Sequence, residues 1–162
     1  MKHLSEILPY YLSHGLRIKR GERNLVMNAA QESSVHWIGI LAVIRWFNSD
    51  MVSKPIPILM PLSELTTPMI DGSTPIVEMA KIAYPKANTY IHMKGEICFI
   101  DAGESYVFGY VESEQSFICT LLPKNKNCFV NNQLQLFEYL FANHFDVFGL
   151  IESGRAIDKR TV

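Results

Sequence analysis

The chain has 162 residues, the size of one ordinary domain, and its 48% apolar and 19% charged residues exclude a disordered chain. Fifteen Lys and Arg residues against sixteen Asp and Glu residues give a net charge of −1, which excludes a nucleic-acid binder that works through its overall charge. The longest stretch without a charged side chain is the twelve-residue Ser33–Ile44, whereas a membrane-spanning helix needs about 20 apolar residues, so no membrane association is expected.

The first predicted elements are a short helix and a β-hairpin. Leu4–Leu12 suits a short helix or turn, although Pro9 would kink or break it unless a helix begins close to that proline. Leu16–Arg20 alternates apolar and basic residues with a period of two, which indicates a strand with one buried face. Residues 21–24 form the predicted turn, and Leu25–Met27 form the predicted return strand.

The most apolar segment of the chain is Ser34–Phe47. β-Branched and aromatic residues dominate it and Gly39 interrupts it, so a long central strand, or two strands bent at the glycine, is predicted, with a buried helix as the alternative. The next segment, Lys54–Leu65, contains three prolines within seven positions. Because proline lacks the N–H that a β-ladder uses, this segment is predicted to be an edge strand or an extended crossing rather than a helix or a central strand.

A helix and an antiparallel meander are predicted next. The helix covers Ile76–Ile82, with Thr74 placed to cap it, Pro75 in its first position and Glu78 in its first turn. The β-segments that follow are short and separated by turn residues, which is typical of a meander. They cover Thr89–Met93, Glu96–Ile100, Tyr106–Val111 and Phe117–Leu122.

The last part of the chain changes to helical periodicity. Asn132–Phe145 is predicted to be a helix capped by Asn131 or Asn132, and Asp146 is placed to cap a second short helix, Val147–Ser153. The apolar residues at helical spacing in the first of these are Leu136, Phe137, Leu140 and Phe141. They are expected to pack against the sheet.

These elements predict an α+β fold. A mainly antiparallel sheet would carry a short N-terminal helix, a short middle helix and a C-terminal helical element packed on the sheet. No repeat, linker or low-complexity tract interrupts the chain, so residues 1–162 are expected to form a single domain, with a β-rich part at 1–128 and a helical tail at 129–162.

The sequence contains none of the common catalytic or cofactor motifs, such as a P-loop, a dinucleotide fingerprint, a zinc-binding spacing or a nucleophile elbow. Cys98, Cys119 and Cys128 form no Cys-x-x-Cys pair and are expected to be buried, reduced thiols. With no signal peptide evident, they point to a reducing cytosol. No catalytic residue, metal or cofactor is assigned.

One histidine lies near a carboxylate in the sequence. His144 and Asp146 could orient an imidazole for general-base catalysis. No nucleophile or second carboxylate lies close by, so packing at the end of a helix is the interpretation adopted for both residues.

The candidate ligand-binding residues are basic. Arg17, Lys19, Arg20 and Arg23 place four cations within seven residues, and on a strand and its turn they would form a local positive surface suited to phosphate or carboxylate. A chain of net charge −1 cannot attract anions through its overall field, so a local cluster would have to do so. Arg45, in an apolar run, is a candidate inner partner. The alternatives are an ordinary solvated strand face and, for Arg45, an ion pair with a carboxylate.

Three segments carry a resemblance to a known group of proteins. Ser5–Lys19, SEILPYYLSHGLRIK, resembles an opening of the form ILPYLPYGLKIK, and Pro57–Thr67, PILMPLSELTT, resembles PILRPLSDLTK. Leu136–Thr161 resembles an ending of the form HFDVFGLIEKGLAIDINT. Together they resemble a family of small proteins encoded by phages and prophages of gut Bacteroidota. Met60 stands where the family has arginine, which argues against an anion-binding role for that loop, and Arg155 stands where it has leucine.

The resemblance implies a context rather than an activity: a phage accessory protein in the cytoplasm of the bacterial host. The hypothesis adopted is stoichiometric binding of a host protein or a small anionic ligand, in host takeover or counter-defence. The alternatives are a hydrolase or nuclease built from scattered His, Asp and Glu, and a virion or assembly component. No nucleic-acid partner is expected, and homo-oligomerisation is left open.

Overall fold

The computed structural model describes residues 4–20, 22–27, 56–87, 89–93 and 96–162. The chain divides into two compact units. The first unit combines Met1–Pro61 with Leu140–Val162, and the second unit is Leu62–Tyr139. The first unit is therefore discontinuous in sequence. That residues 1–162 form a single domain remains a prediction.

Helices and two sheets make up the described residues, and most strand pairs are antiparallel, which confirms the α+β class. The α-helices are α1 (Leu4–Leu12), α2 (Pro75–Ala83) and α3 (Gln133–Ala142). The strands are β1 (Leu16–Arg20), β2 (Arg23–Met27), β3 (Ile56–Leu59), β4 (Thr89–Met93), β5 (Glu96–Asp101), β6 (Glu104–Val111), β7 (Ser116–Leu122), β8 (Lys126–Asn127) and β9 (Ile157–Asp158). Short 3-10 helices lie at Leu62–Thr66, Glu112–Glu114 and Lys159–Thr161.

The sheet of the first unit has the strand order β2-β1-β3-β9. The predicted hairpin is confirmed: β1 and β2 pair antiparallel in a register that places Arg20 opposite Arg23, so the return strand begins two residues earlier than expected. Leu16 and Ile18 are fully buried, whereas Arg17 is exposed. This alternation follows from the two-residue period of a strand that covers a core with one face.

The proline-rich segment differs from its prediction. β3 lies between β1 and β9, so it is a central strand rather than an edge strand. Ile56 and Pro57 pair with β1, whereas Ile58 and Leu59 pair with β9 in parallel. Each neighbour uses only two residues of the strand, so the missing N–H of Pro57 affects one short ladder. A 3-10 helix, Leu62–Thr66, follows in a stretch that was expected to be extended.

The core of the first unit joins the N-terminal and C-terminal parts of the chain. Its buried side chains come from α1, β1, β3 and the tail; they are Ile7, Leu8, Tyr11, Leu12, Leu16, Ile18, Leu59, Leu150 and Ala156. The Tyr11 hydroxyl donates a hydrogen bond to the carbonyl of Phe145 (2.8 Å) and accepts one from the N–H of Val147 (3.2 Å). The rings of Tyr10 and Tyr11 both contact the ring of Phe141, with centroids 5.1 and 5.3 Å away.

The second unit contains the predicted meander, which is confirmed. Its sheet has the order β4-β5-β6-β7-β8, and every neighbouring pair is antiparallel. One face of the sheet is buried, and α2 packs against β4 and β5. The buried side chains of that face are Ile97, Phe99, Phe108, Phe117, Cys119 and Leu121. Cys98 pairs with Val107 and lies on the opposite face, because successive residues of a strand alternate.

Helix α2 begins as predicted but is capped differently. Pro75 occupies the first turn, where a missing N–H costs no intrahelical bond. The Thr74 side chain makes no capping hydrogen bond; instead its backbone carbonyl accepts from the N–H groups of Val77 and Glu78. Glu78 forms an ion pair with Lys81 one turn later, at 2.7 Å.

Helix α3 carries the predicted apolar stripe. Leu136 and Leu140 are fully buried. The expected packing on the sheet is confirmed for Phe137, whose ring centroid lies 5.0 Å from that of Phe117, whereas the Phe141 ring contacts Tyr10 and Tyr11 of α1. Asn132 lies at the start of α3 as predicted, and its backbone carbonyl accepts the N–H of Leu136 at 3.1 Å. Its side-chain amide donates to the carbonyl of Ile82 at 2.8 Å.

The predicted second helix of the tail, Val147–Ser153, is not a helix but a series of turns. Its N–H groups are bound by the Asp146 side chain and by turn carbonyls instead of an i→i−4 ladder. The chain ends in strand β9 and a short 3-10 helix. The predicted strand or helix at Ser34–Phe47 lies outside the described residues.

Candidate anion-binding site

The predicted basic strand presents two cations on its outer face. Arg17 is exposed and Lys19 is half-buried, on the side of β1 opposite the buried Leu16 and Ile18. Within the described residues, neither cation forms an ion pair. Of the other predicted site residues, Arg20 and Arg23 lie opposite each other next to the turn between β1 and β2, and Arg45 is outside the described part of the chain.

His144 lies at the end of α3 in a conformation that usually takes glycine. Its φ is +59°, and the N–H groups of His144 and Phe145 bond to the carbonyls of Phe141 (3.0 Å) and Leu140 (2.9 Å). This is a Schellman motif, whose left-handed position is most often glycine because a Cβ is strained there. Histidine tolerates this conformation better than most residues, yet it still costs about 1 kcal/mol or more. The hydrogen bond that the His144 ring makes to the His14 carbonyl offsets this conformational cost.

The His144 ring is tied to the turn that follows α1. Its Nε2 lies 3.0 Å from the carbonyl oxygen of His14. A carbonyl can only accept, so Nε2 carries the proton and donates it, which leaves Nδ1 as an acceptor in the neutral ring. The backbone around His144 is held from another side, because the Met60 N–H donates to the His144 carbonyl and the Asp146 N–H donates to the Met60 carbonyl, both at 2.8 Å. Two segments distant in sequence therefore position the ring.

The charges near this ring act on its pKa. Burial lowers the pKa of His144, and the positive charges of Lys159 and Arg17 lower it further, while the hydrogen bond to the His14 carbonyl raises it. Lys159 lies in the tail after β9, Arg17 lies in β1, and His14 lies in the turn after α1. We call His14, Arg17, His144 and Lys159 the cationic cluster.

The carboxylate beside Lys159 in the sequence is already engaged. Asp158 binds the Arg160 side chain, with Oδ2–Nε at 3.0 Å, and accepts the Arg160 backbone N–H at 2.9 Å. These bonds lower the pKa of Asp158. Lys159 is half-buried and, within the residues that the structure describes, makes no ion pair. The charge of the cationic cluster is therefore not balanced by this neighbour.

The His144–Asp146 pair considered for general-base catalysis is not assembled. The Asp146 carboxylate accepts the backbone N–H groups of Leu150 (2.8 Å) and Ile151 (2.7 Å), and its burial raises its pKa. The His144 ring binds the His14 carbonyl instead. Both side chains organise the turns after α3, as the helix-end interpretation predicted. In the described ranges, no group of three or more His, Cys, Asp or Glu side chains could hold a metal ion.

The sequence predicted the outward direction of Arg17 and Lys19 but not the rest of the cationic cluster. His14, His144 and Lys159 are separated by up to 145 positions, and they come together because β3 and the segment after it are contacted by both parts of the tail. One signal was available for His144: it follows a helical stripe at the point where a left-handed residue ends a helix.

None of the three cysteines is in a disulfide; Cys119 is buried, and Cys98 and Cys128 are half-buried. None of the described helices has the length and apolar character that crossing a membrane requires. Comparison of the chain with protein-family models, curated proteins and solved structures gives no significant match in any of the three.

Proposed function

We propose that this protein binds an anionic ligand stoichiometrically through the cationic cluster and the neighbouring Lys19. The observation that carries the proposal is the outer face of β1, where Arg17 and Lys19 make no ion pair within the described residues. It is supported by the lowered pKa of His144, to which the positive charges of Arg17 in β1 and Lys159 in the tail both contribute. Like charges held together repel one another, so an arrangement of this kind is stabilised when an anion binds. If the outer face of β1 were only solvated, a cation from the tail, Lys159, would not be needed beside it.

The chemistry of the cluster suits a phosphate or carboxylate group. Arg17 can bind two oxygens of such a group through its planar guanidinium, and Lys19 and Lys159 supply point charges on flexible stems. Protonation of His144 on binding would add a further charge-assisted hydrogen bond. Because the overall charge of the chain is −1, the attraction is local and weakens as salt rises, with a screening length of about 8–10 Å at 0.1–0.15 M.

The context that we propose for this binding is a phage accessory protein in the cytoplasm of its bacterial host, acting on a host protein or a small anionic ligand. Binding rather than hydrolysis is supported by the geometry of the tail, where His144 and Asp146 are both occupied by backbone groups. The hydrolase and virion hypotheses find no comparable support in the described residues.

The experiment uses pyrophosphate as the anionic probe. The thermal unfolding midpoint is measured against pyrophosphate concentration and against sodium chloride at the same ionic strength. A ligand at 100 times its Kd stabilises the native state by about 2.7 kcal/mol, so pyrophosphate should raise the midpoint by several degrees beyond the effect of salt. The site variant is Arg17→Gln/Lys19→Gln/Lys159→Gln, which should lose this specific rise.

The control variant is Lys81→Gln/Lys86→Gln/Lys124→Gln, which removes the same charge from exposed lysines of the second unit. It should keep the response to pyrophosphate. If the site variant responds as fully as the unmodified protein, the cluster is only a solvated surface and the proposal is wrong. A ³¹P spectrum recorded after incubation with magnesium separates binding from hydrolysis, because a binder leaves pyrophosphate intact. Capture from host lysate with the two variants then identifies the physiological anion.

A further inference from the structure

The hairpin of β7 and β8 brings two thiols face to face. The register pairs Thr120 with Asn127 and Leu121 with Lys126, and its next step outward pairs Cys119 with Cys128. The Cys128 N–H donates to the Cys119 carbonyl at 2.8 Å, which extends the ladder by that step. Residues directly opposite in an antiparallel pair project from the same face of the sheet. The two thiols are therefore cross-strand neighbours.

The two thiols differ in access to solvent. Cys119 is buried on the core face, where burial raises the pKa of its thiol. Its thiol is in hydrogen-bonding contact with the Tyr84 hydroxyl, which itself donates to the carbonyl of Phe129 at 2.9 Å. Cys128 is half-buried, lies just after the end of β8, and donates weakly from Sγ to the Lys126 carbonyl at 3.4 Å. A reagent from solution would reach Cys128 first.

We propose that Cys119 and Cys128 form a reversible disulfide by exchange with a low-molecular-weight disulfide such as glutathione disulfide. The Cys128 thiolate attacks one sulfur of the reagent, so a Cys128–glutathione bond forms and the first glutathione thiolate leaves. The Cys119 thiolate then attacks the Cys128 sulfur and displaces the second glutathione. The protein loses two hydrogen atoms and is oxidised, and the reagent is reduced to two glutathione molecules.

Cross-strand geometry makes this disulfide a labile one. Opposite residues that share a ladder hydrogen bond have Cα atoms about 5.5 Å apart, within the range that disulfides accept. Their Cβ atoms are about 4.5–5.5 Å apart, whereas a disulfide holds them at about 3.5–4.5 Å. The strands must close slightly, and a strained disulfide is more easily reduced than a structural one. The pair therefore suits reversible oxidation in a reducing compartment.

The first measurement is disulfide mapping of the intact, folded chain after equilibration with glutathione disulfide. Trypsin cleaves after Lys124 and Lys126, so the fragments 95–124 and 127–155 separate unless a disulfide joins them. Because fragment 95–124 holds Cys98 as well as Cys119, the Cys98→Ser variant is the matched control. The joined fragment should form in the unmodified protein and equally in Cys98→Ser. It should be absent from Cys119→Ala, in which a mixed disulfide of Cys128 with glutathione can accumulate, and from Cys128→Ser.

Circular dichroism spectra recorded before and after oxidation show whether each sample is folded, and only folded samples are compared. Cys128→Ser changes a half-buried residue, so it keeps the experiment informative if the buried Cys119→Ala substitution disturbs folding. Reduced glutathione in modest excess should restore both free thiols. The proposal is overturned if folded Cys98→Ser yields only mixed disulfides, or if the joined fragment forms only in denaturant.

Discussion

Removing the Tyr11 hydroxyl is expected to destabilise the protein by about 1–3 kcal/mol. In Tyr11→Phe the fully buried ring keeps its contact with Phe141, and only the hydroxyl is lost. Two hydrogen bonds disappear, to the Phe145 carbonyl and from the Val147 N–H, and each contributes about 0.5–1.5 kcal/mol net. The penalty for leaving both groups unpaired is avoided, because the Val147 N–H also donates to the Phe145 carbonyl at 2.9 Å.

The neighbouring tyrosine provides the control. Tyr10 is 51% exposed, and its ring contacts Phe141 at nearly the same distance as that of Tyr11, so Tyr10→Phe changes the same atom without breaking a buried bond. It should alter stability by less than about 0.5 kcal/mol. The assay is urea unfolding followed by far-ultraviolet circular dichroism, with free energies compared at equal m-values. If the two variants unfold with the same free energy as each other, the Tyr11 hydroxyl does not hold the tail and the reasoning is refuted.

Two further predictions concern packing and pH. Phe137→Ala removes the ring whose centroid lies 5.0 Å from that of Phe117 and should lower the free energy of unfolding by about 2–4 kcal/mol, measured by thermal or urea unfolding. The control is Leu134→Ala, at a side chain that is 70% exposed, which should change this free energy by less than about 0.5 kcal/mol. Equal losses in the two variants would show that α3 is not anchored by the Phe137 ring. The pKa of His144 in the folded state lies below its usual 6.5, so the unfolded chain takes up a proton at this residue before the folded state does. Stability should therefore decline as pH falls through 6.5. His144→Asn, which keeps a residue tolerant of positive φ, should flatten this decline, and an unchanged slope would assign it to other groups.

The elements that could be predicted from the sequence are those whose signals are local. The β1–β2 hairpin follows from the alternation in Leu16–Arg20, and the meander follows from short apolar runs separated by turn residues. The stripe of α3 is likewise a property of one segment, with Leu136 and Leu140 placed on its buried face.

The parts that escaped prediction depend on distant partners. β9 has two residues and therefore no periodicity, and its parallel pairing with β3 joins positions about a hundred residues apart. β3 is a central strand because it pairs with β9, and the prolines of its own segment give no sign of this pairing. The turns after Asp146 were predicted to be a helix because Asp146 stands at a capping position before Val147–Ser153. Its buried carboxylate instead accepts the N–H groups of Leu150 and Ile151 without a helical ladder.

The residues of the candidate sites also separate into those with a local sequence signal and those that depend on distant partners. The outward direction of Arg17 was predictable from its neighbours in β1, whereas the approach of Lys159 and His144 was not. The opposition of Cys119 and Cys128 did have a signal, because the two cysteines are equally spaced about the turn that joins β7 to β8.

The discontinuity of the first unit has a consequence for synthesis on the ribosome. The second unit, Leu62–Tyr139, is continuous in sequence, so all of its residues leave the ribosome before the last residues of the first unit do. The first unit cannot be completed until Leu150, Ala156 and β9 have left the exit tunnel. Until then α1 and β1 present an apolar face that lacks its C-terminal cover. The nascent chain is therefore most exposed to aggregation and to chaperone binding at its N-terminal end, from the time β1 emerges until β9 has left the ribosome.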